Sequence, residues 1–428
     1  MTERSGTDES PAAGSARISL FVGKGGVGKS TLATATAVRD ARNGLRVLVV
    51  STDQAHSTGD VLGIPVVPTG ERTPTRVLAG LEIGPAAGGY LDALALDTLA
   101  LLEQRWRQVA GVLAAKFPES DLGDVAPEEL SALPGIQEVL GLDEVRELAD
   151  SGEWDHVVVD CASTADAMRM LTLPATFGLY LERAWPRHRR LSLAGDDAAS
   201  AGIVELVERV AGATERLGAL LTDSARVTAH LVLTAERVVA AEAARTLGSL
   251  ALVGVSVDEL IVNQILVQDD SFEYRNLPEH PAFDWYTERI AEQRAVLDEL
   301  DASVGDVKLV LVPHLPGEPI GPKALGELLA GARQRDGAAP PGPVRPVVDR
   351  ESGSGVAAVY RMRLQLPQVD PAALTLGRVG DDLIVGAGGT RARVRLASVL
   401  RRCTVIDAQL RGSELTVRFR PNPEVWPA

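Results

Sequence analysis

The sequence predicts an α/β protein: a doubly wound, mainly parallel sheet with helical insertions, followed by a small C-terminal all-β sandwich. Two observations predict the first part. Short β-branched runs alternate with longer amphipathic stretches to about residue 330, and runs such as Val47–Val50 and Val157–Val159 are entirely apolar. Such strands, buried on both faces and separated by helices, are typical of parallel sheets. The third observation is a change to period-two alternation after residue 355, which indicates antiparallel strands.

Individual elements follow from these patterns. Strands are predicted at Ile18–Val22, Arg46–Ser51, Gly80–Ile83, His156–Cys161, Thr228–Leu233, Glu259–Asn263 and Lys308–Val312. One helix is predicted from apolar residues near 3.6-residue spacing, namely Leu91, Leu94, Leu102, Trp106, Val109 and Leu113. Further helices are predicted at Leu140–Asp150, Ala201–Leu220 and Ala235–Leu250.

The same patterns divide the chain into parts. Residues 1–16 are expected to form a disordered tail, and residues 17–334 the α/β domain, with a helical subdomain around 86–150 and 175–222. Residues 335–354 are expected to be a Pro/Gly linker, because the prolines of Ala338–Pro343 cannot continue a helix. Residues 355–428 form the predicted sandwich.

Composition excludes several classes of protein. The 428 residues carry a net charge of −15, which argues against broad nucleic-acid binding, although the part from Gly355 onward carries an excess of arginine. No apolar run approaches the roughly 18 residues of a membrane-spanning helix, and the polar N-terminus has no signal-peptide core. The two cysteines, Cys161 and Cys403, form no CxxC pair. A reduced, cytoplasmic location is therefore expected.

The first predicted strand leads into a glycine-rich loop that fits G-x-x-x-x-G-K-[ST] and precedes an Ala/Thr-rich helix. This setting predicts a P-loop NTPase site for ATP, because backbone N–H groups and a helix N-terminus favour phosphate. Lys29 is expected to bridge the β- and γ-phosphates, and the Ser30 hydroxyl to bind Mg²⁺. The predicted nucleotide-binding residues of the loop are Gly23, Lys24, Gly25, Gly26, Val27, Gly28, Lys29, Ser30 and Thr31. A chance glycine-rich turn is the alternative.

The additional lysine, Lys24, makes the loop unusual. Two ammonium groups near one phosphate chain repel each other in an isolated monomer. We therefore expect Lys24 to reach across a homodimer to the partner's nucleotide, as an arginine finger does, which makes Lys24 and Lys29 candidate catalytic residues. The alternative is a solvated surface lysine.

Two aspartates follow predicted strands, at the edge where open α/β sheets bind ligands. Asp53 is predicted to be catalytic, by orienting or deprotonating the water that attacks the γ-phosphate, or else to cap the next helix. Asp160 matches the Walker-B position and is predicted to hold Mg²⁺ directly or through water, or else to lie in a turn. His56 is interpreted as a packing or capping residue, and Cys161 as a small core residue.

Together these residues resemble the ArsA family of P-loop ATPases, which includes the arsenite-pump ATPase and the ATPase that targets tail-anchored proteins. The matching segments are Lys24–Thr31, Asp53–Asp60, Pro134–Glu138, Asp160–Pro174, Glu236–Arg245 and Val262–Gln264. The resemblance implies that Asn263 contacts adenine and that Pro313 and Glu318 belong to an adenine-side loop. The C-terminal part resembles the α-crystallin-like domain of some bacterial members, through Leu364–Pro367, Asp382–Val385 and Gly412–Phe419.

The chain departs from that family at several points. No CxxC follows Asn263, so no zinc is expected, and two cysteines cannot form a three-thiolate arsenite site. The family's switch-II Gly-His is Ala165-Asp166 here, which predicts slow turnover. With four methionines in all, a hydrophobic groove would have to be lined by Leu and Val instead.

The sequence therefore predicts a Mg²⁺-dependent ATP hydrolase whose hydrolysis opens and closes a homodimer that handles a hydrophobic protein client or a membrane-associated partner. A nucleotide-gated scaffold, in which ATP governs binding to a partner and hydrolysis acts as a timer, is the alternative from another class. The ATPase subunit of an anion-transport system is the third possibility.

Overall fold

The computed structural model describes residues 14–53, 57–68, 72–79, 88–116, 136–193, 198–267, 279–303, 307–335, 346–366, 369, 371–387, 390–412 and 414–426. These residues form two compact units. The first comprises the chain up to Val22, Lys29–Thr228 and Gly317–Ala330, and the second comprises Gly23–Gly28, Ala229–Pro316 and the chain from Gly331 onward. Within the described ranges, no helix is long and apolar enough to cross a membrane.

The first unit is built on a five-strand segment of a parallel sheet. Its elements are β1 (Arg17–Gly23), α1 (Lys29–Arg42), β2 (Arg46–Ser51), α2 (Ser57–Leu62), β3 (Thr75–Ala79), β4 (Tyr90–Ala95), α3 (Thr98–Lys116), α4 (Ile136–Ala149), β5 (His156–Asp160), α5 (Thr164–Ala184), α6 (Arg187–Leu193) and α7 (Ala198–Leu221). The strand order is β3-β4-β2-β5-β1. All neighbours are parallel except β3, which pairs with β4 antiparallel. The carboxyl ends of β1, β2 and β5 therefore share one edge.

The second unit continues the α/β pattern with fewer strands. Its elements before the sandwich are β6 (Val227–Thr234), which begins in the first unit, α8 (Arg237–Val253), β7 (Ser256–Ile265), α9 (Pro281–Ser303), β8 (Lys308–Pro313) and β9 (Arg333–Arg335). The order is β6-β7-β8-β9, with β7 and β8 parallel and β9 antiparallel to β8. A last helix, α10 (Gly321–Ala330), belongs to the first unit and packs on α1.

The C-terminal part of the second unit contains two antiparallel sheets. Its elements are β10 (Val347–Ser352), β11 (Val359–Gln365), β12 (Thr375–Val379), β13 (Asp382–Ala387), β14 (Thr390–Arg395), α11 (Ser398–Arg401), β15 (Cys403–Arg411) and β16 (Glu414–Pro421). One sheet has the order β10-β11-β16-β15 and the other β12-β13-β14. Apolar residues of both sheets, among them Met362, Leu383 and Val417, form one buried cluster, which fits the period-two alternation of this part of the sequence.

The sandwich packs against α8 of the same unit. Leu252, near the end of α8, belongs to the buried apolar cluster of the sandwich. The hydroxyl of Ser249, one turn earlier, lies 2.9 Å from the hydroxyl of Thr390 at the start of β14. The sandwich therefore shares part of its core with a helix of the α/β region.

The predicted fold class is confirmed, and two details are corrected. Leu91 and Leu94 lie in β4 rather than in a helix, so the part of the predicted helical subdomain at 90–95 is a strand, and α3 begins at Thr98. All residues of β4 after Tyr90 are buried, so its apolar residues fit a helical period by coincidence. The strand predicted at Gly80–Ile83 lies outside the described residues.

The second correction concerns the predicted linker at 335–354. Val347–Ser352 forms β10, the edge strand of the sandwich, and pairs antiparallel with β11. At the other end of the predicted linker, Arg335 is the last residue of β9. The central residues, 336–345, lie outside the described part of the chain.

A chain truncated after Arg335 tests how far the sandwich supports the rest of the molecule. We expect this truncated chain to fold, because β6, β7 and β8 keep their own buried residues, but to unfold several degrees below the full chain, because Leu252 loses its apolar neighbours. Calorimetry of both chains measures the difference. Equal unfolding temperatures, or a truncated chain that does not fold, would contradict this expectation.

Candidate nucleotide site

The glycine-rich loop, Gly23–Gly28, needs its glycines for space and for backbone geometry. A Cβ atom on Gly23 would lie 2.2 Å from the carbonyl oxygen of Val232, and one on Gly28 would lie 2.3 Å from Nδ2 of Asn263. Gly26 and Gly28 also have φ angles of 82° and 93°, in the left-handed region that favours glycine. The loop is therefore held close to β6 and β7 of its own unit.

Asn263, on β7, binds the loop directly. Its buried Nδ2 donates a hydrogen bond of 2.9 Å to the carbonyl oxygen of Val27, and its Oδ1 accepts one of 2.9 Å from the backbone N–H of Gln264. The amide thus anchors the phosphate loop, a role that the sequence did not suggest. The adenine contact of Asn263 remains a prediction.

The start of α1, in the first unit, carries Lys29 and Ser30, the two residues that complete the motif, followed by Thr31. Lys29 is buried, and Thr31 is half-buried. The Ser30 hydroxyl lies 2.8 Å from the hydroxyl of Ser57 at the start of α2. A helix N-terminus with a buried lysine and an adjacent hydroxyl is typical of a phosphate site.

Asp160, at the end of β5, is fully buried. Burial raises the pKa of its carboxyl group from 3.8 to about 6; the charge of Asp53 also raises it, whereas the Ser30 hydroxyl, the Lys29 charge and Thr58 oppose the rise. Thr58 donates a hydrogen bond of 3.4 Å to Oδ2, but Oδ1 has no hydrogen-bonding partner among the described residues. An unpaired buried carboxylate oxygen beside a serine hydroxyl offers the hard oxygen ligands that Mg²⁺ prefers.

Asp53 lies just past the end of β2 and is half-buried. Its backbone N–H donates a hydrogen bond of 3.3 Å to the hydroxyl of Ser51. Its charge contributes to the raised pKa of Asp160, so the structure brings the two carboxylates into electrostatic contact. His56 lies outside the described residues.

Lys24 has an acidic neighbour within its own unit. Its Nζ lies 3.7 Å from Oε2 of Glu242 on α8, and 45% of its side chain is exposed. Glu242 lies within the segment that resembles the ArsA family, but no sequence pattern connects it with the loop. In this conformation the lysine charge is partly balanced inside one chain.

The segment that resembles the family's switch II begins α5 with a local cap. The backbone N–H of Asp166 donates to the Ser163 hydroxyl at 3.4 Å, and that hydroxyl donates to Oδ2 of Asp166 at 2.7 Å. Arg169 forms ion pairs with both Asp166 and Glu138. Asp166, which replaces the family histidine, is therefore part of a helix cap.

The remaining candidates lie in different places. Pro313, at the end of β8, is half-buried in the second unit, whereas Glu318 is exposed in the first unit. Cys161 is buried, and that burial raises the pKa of its thiol to about 12, which supports its interpretation as a core residue. Another group of potential metal ligands, His230, Asp258 and Glu259, has the ammonium of Lys308 at 3.1 Å from Glu259, so an ion pair already balances that carboxylate.

Comparison with known proteins shows the relationship of the whole chain. Residues 16–331 match the ArsA family, described as anion-transporting ATPases, and residues 357–419 match the HSP20-like domain found in ArsA. Protein Rv2184c of Mycobacterium tuberculosis is 73% identical, over 96% of this chain and 98% of its own length. Protein SCO2128 of Streptomyces coelicolor, described as uncharacterized, is 35% identical over 96% and 99%. The arsenical pump-driving ATPase of Acidiphilium multivorum is 28% identical over 73% of this chain and 48% of its own length.

The raised pKa of Asp160 predicts that Asp160→Asn stabilises the protein when nucleotide and Mg²⁺ are absent. Because the folded pKa lies above the unfolded value, the contribution of this group to stability falls as pH rises from 3.8 through about 6. At pH 8 the ionised carboxylate costs about 3 kcal/mol, at 1.36 kcal/mol per pKa unit. Thermal unfolding of the variant in EDTA should therefore occur several degrees higher at pH 8, with a smaller gain below pH 4.

Asp155→Asn provides a control of opposite sign. Hydrogen bonding from Arg46 holds the pKa of Asp155 below its usual value, so its ionised form stabilises the fold above that value. This variant should unfold at a lower temperature at pH 8. If Asp160→Asn also unfolded at a lower temperature than the wild type at pH 8, burial of the Asp160 carboxylate would not destabilise the apo-protein.

Proposed function

Because the chain belongs to the ArsA family of anion-transporting ATPases, we propose that it is a Mg²⁺-dependent ATP hydrolase that acts as a homodimer in the cytoplasm. The observation that carries the proposal is the arrangement of the buried Asp160 and Lys29 with the half-buried Ser30, at the end of β5 and the start of α1. A buried carboxylate that carries an unpaired oxygen and lies next to a lysine and a serine hydroxyl is costly unless a ligand uses it.

Each residue has a role in this proposal. Lys29 and the backbone N–H groups of the loop bind the β- and γ-phosphates of ATP. Ser30 and Asp160 hold Mg²⁺, which when bound screens the charge of the phosphates. Asp53 orients the attacking water and accepts its proton. Asn263 keeps the loop in place through the Val27 carbonyl oxygen.

A hydrophobic client is supported by the surface of the helices that follow the switch. Phe177 and Tyr180 on α5, and Leu191 and Leu193 on α6, are exposed, with Tyr180 exposed by 75%. Large apolar groups that are exposed on two helices consecutive in the chain favour an interaction surface. Because α5 begins at Thr164, directly after its N-cap residue Ser163, one helix carries both the segment that resembles the switch and part of this surface.

The same helix supports the second candidate function, a nucleotide-gated scaffold. The cap formed by Ser163 and Asp166, with Arg169 paired to Glu138, restrains the segment that the family uses as its switch. A restrained switch favours slow hydrolysis, so that ATP would time the binding of a partner. An added apolar helical peptide separates the two candidate functions. Client handling requires that the peptide stimulate hydrolysis, whereas a nucleotide-gated scaffold does not.

Arsenite transport is the least supported function. Both cysteines are buried, and burial raises the pKa of each thiol. Arsenite binding needs accessible thiolates. The name of the Acidiphilium relative therefore does not extend to an arsenite site in this chain.

Asp53→Asn tests the catalytic assignment. We expect this variant to bind ATP as the wild type does but to lose at least a hundredfold in turnover, because the amide cannot take a proton from water. Lys29→Ala is the matched comparison, since it removes a phosphate contact and should weaken binding as well. Phosphate release and calorimetric ATP binding measure the two effects. Wild-type turnover in Asp53→Asn would exclude Asp53 from the mechanism.

Lys24→Ala and Glu242→Gln test the homodimer. If Lys24 acts on the partner's nucleotide, it must leave Glu242, so Glu242→Gln should raise hydrolysis at low protein concentration and Lys24→Ala should lower it. Sedimentation with ATP–Mg²⁺ should show dimers of the wild type. Arg245→Ala removes an exposed charge from the same helix and should change neither the rate of hydrolysis nor the formation of dimers. A monomeric wild type with bound ATP, or full activity of Lys24→Ala, would rule out the trans role.

A further inference from the structure

The backbone of Gln264 has an unusual conformation. Its φ angle is 60°, and no other described residue apart from glycines has a positive φ. The residue lies near the end of β7, where the register with β8 shifts between Val262 and Ile265. A left-handed conformation is unfavourable for a non-glycine residue and persists only where neighbouring contacts enforce it.

The side chain of Gln293, on α9, supplies those contacts. Its Nε2 donates a hydrogen bond of 2.9 Å to the carbonyl oxygen of Gln264, and its Oε1 accepts one of 3.0 Å from the backbone N–H of Leu266. Gln293 is 6% exposed, whereas the side chain of Gln264 points to solvent. Both ends of one buried amide therefore hold the backbone on either side of Ile265.

That backbone in turn positions the phosphate loop. The N–H of Gln264 orients Asn263 by donating to its Oδ1, which leaves Nδ2 directed at the Val27 carbonyl oxygen. Nδ2 also occupies the space that a Cβ atom on Gly28 would fill. The order of contacts is Gln293, the Gln264 backbone, Asn263 and the loop, all within one unit.

We propose that Gln293 is a positioning residue for nucleotide binding: its amide fixes the left-handed turn at Gln264 and thereby keeps Asn263 against the phosphate loop. This inference rests on the proposed ATPase function. It assigns to α9, which carries no loop residue, a part in nucleotide affinity. A packing role alone would be served by an apolar side chain, since a buried amide is unfavourable unless both its ends are bonded.

Gln293→Met tests the proposal, because methionine has a similar length but replaces neither hydrogen bond. The dissociation constant for ATP–Mg²⁺ and KM should rise about tenfold, a change of 1.4 kcal/mol, whereas kcat at saturating ATP should stay within twofold. The matched control is Leu297→Ala, one turn further along α9, where the side chain is also buried. This control should lower the unfolding temperature and leave KM unchanged.

A second variant separates positioning from stability. Gln264→Gly adopts a positive φ without steric cost, so the double variant Gln264→Gly/Gln293→Met should regain most of the lost affinity. Gln293→Asn, whose amide is one methylene shorter, serves the same test if the methionine variant does not fold. Wild-type affinity in Gln293→Met, or no recovery in the double variant, would overturn this inference alone. Failure of the wild type to bind ATP would overturn the proposed function, and this inference with it.

Discussion

The burial of the Asp160 carboxylate is the constraint around which the phosphate end of the sheet is arranged. A carboxylate without exposed surface must be neutralised or paired. Here the buried Lys29 provides the charge, and Ser30 and Thr58 provide hydroxyl groups. The same negative charge helps to make Cys161 unreactive.

Helix α8 connects two parts of the second unit that the sequence keeps far apart. Glu242 meets the loop lysine Lys24, and Ser249 and Leu252 meet the sandwich. These positions are seven to ten residues apart, or about 10–15 Å along a helix. A change in how the sandwich packs on α8 would therefore act on the residue that balances Lys24. This gives the C-terminal domain a physical connection to the loop besides its covalent one.

Most of the fold could be predicted because apolar runs and glycine positions are local signals. The P-loop, Asp53 and Asp160 were predicted to form a site from a motif and from positions at strand ends, and their roles remain predictions. The strand at Leu91 and Leu94 was missed, since a fully buried strand satisfies more than one period. The edge strand at Val347–Ser352 was missed because four of its six residues are polar and its pairing with β11 holds it in place.

The contacts that could not be predicted join residues that are distant in the chain. Glu242 near Lys24, and the amide of Gln293 at the turn of Gln264, leave no pattern in a single sequence. Asn263 was identified through the resemblance, but its bond to the Val27 carbonyl depends on how the loop folds back toward β7. Contacts of this kind depend on the folded structure and cannot be predicted from a single sequence.

The scarcity of lysine has a practical consequence for studying this protein. The chain has five lysines, and two of them belong to the phosphate loop. Lys29 is buried, whereas Lys24 is nearly half exposed, and Lys308 is engaged with Glu259. Amine-reactive reagents will therefore modify few positions, and one of those few reports directly on whether the loop lysine is free, paired with Glu242 or covered by another molecule. Mass spectrometry of labelled protein thus gives a conformational readout without an engineered probe.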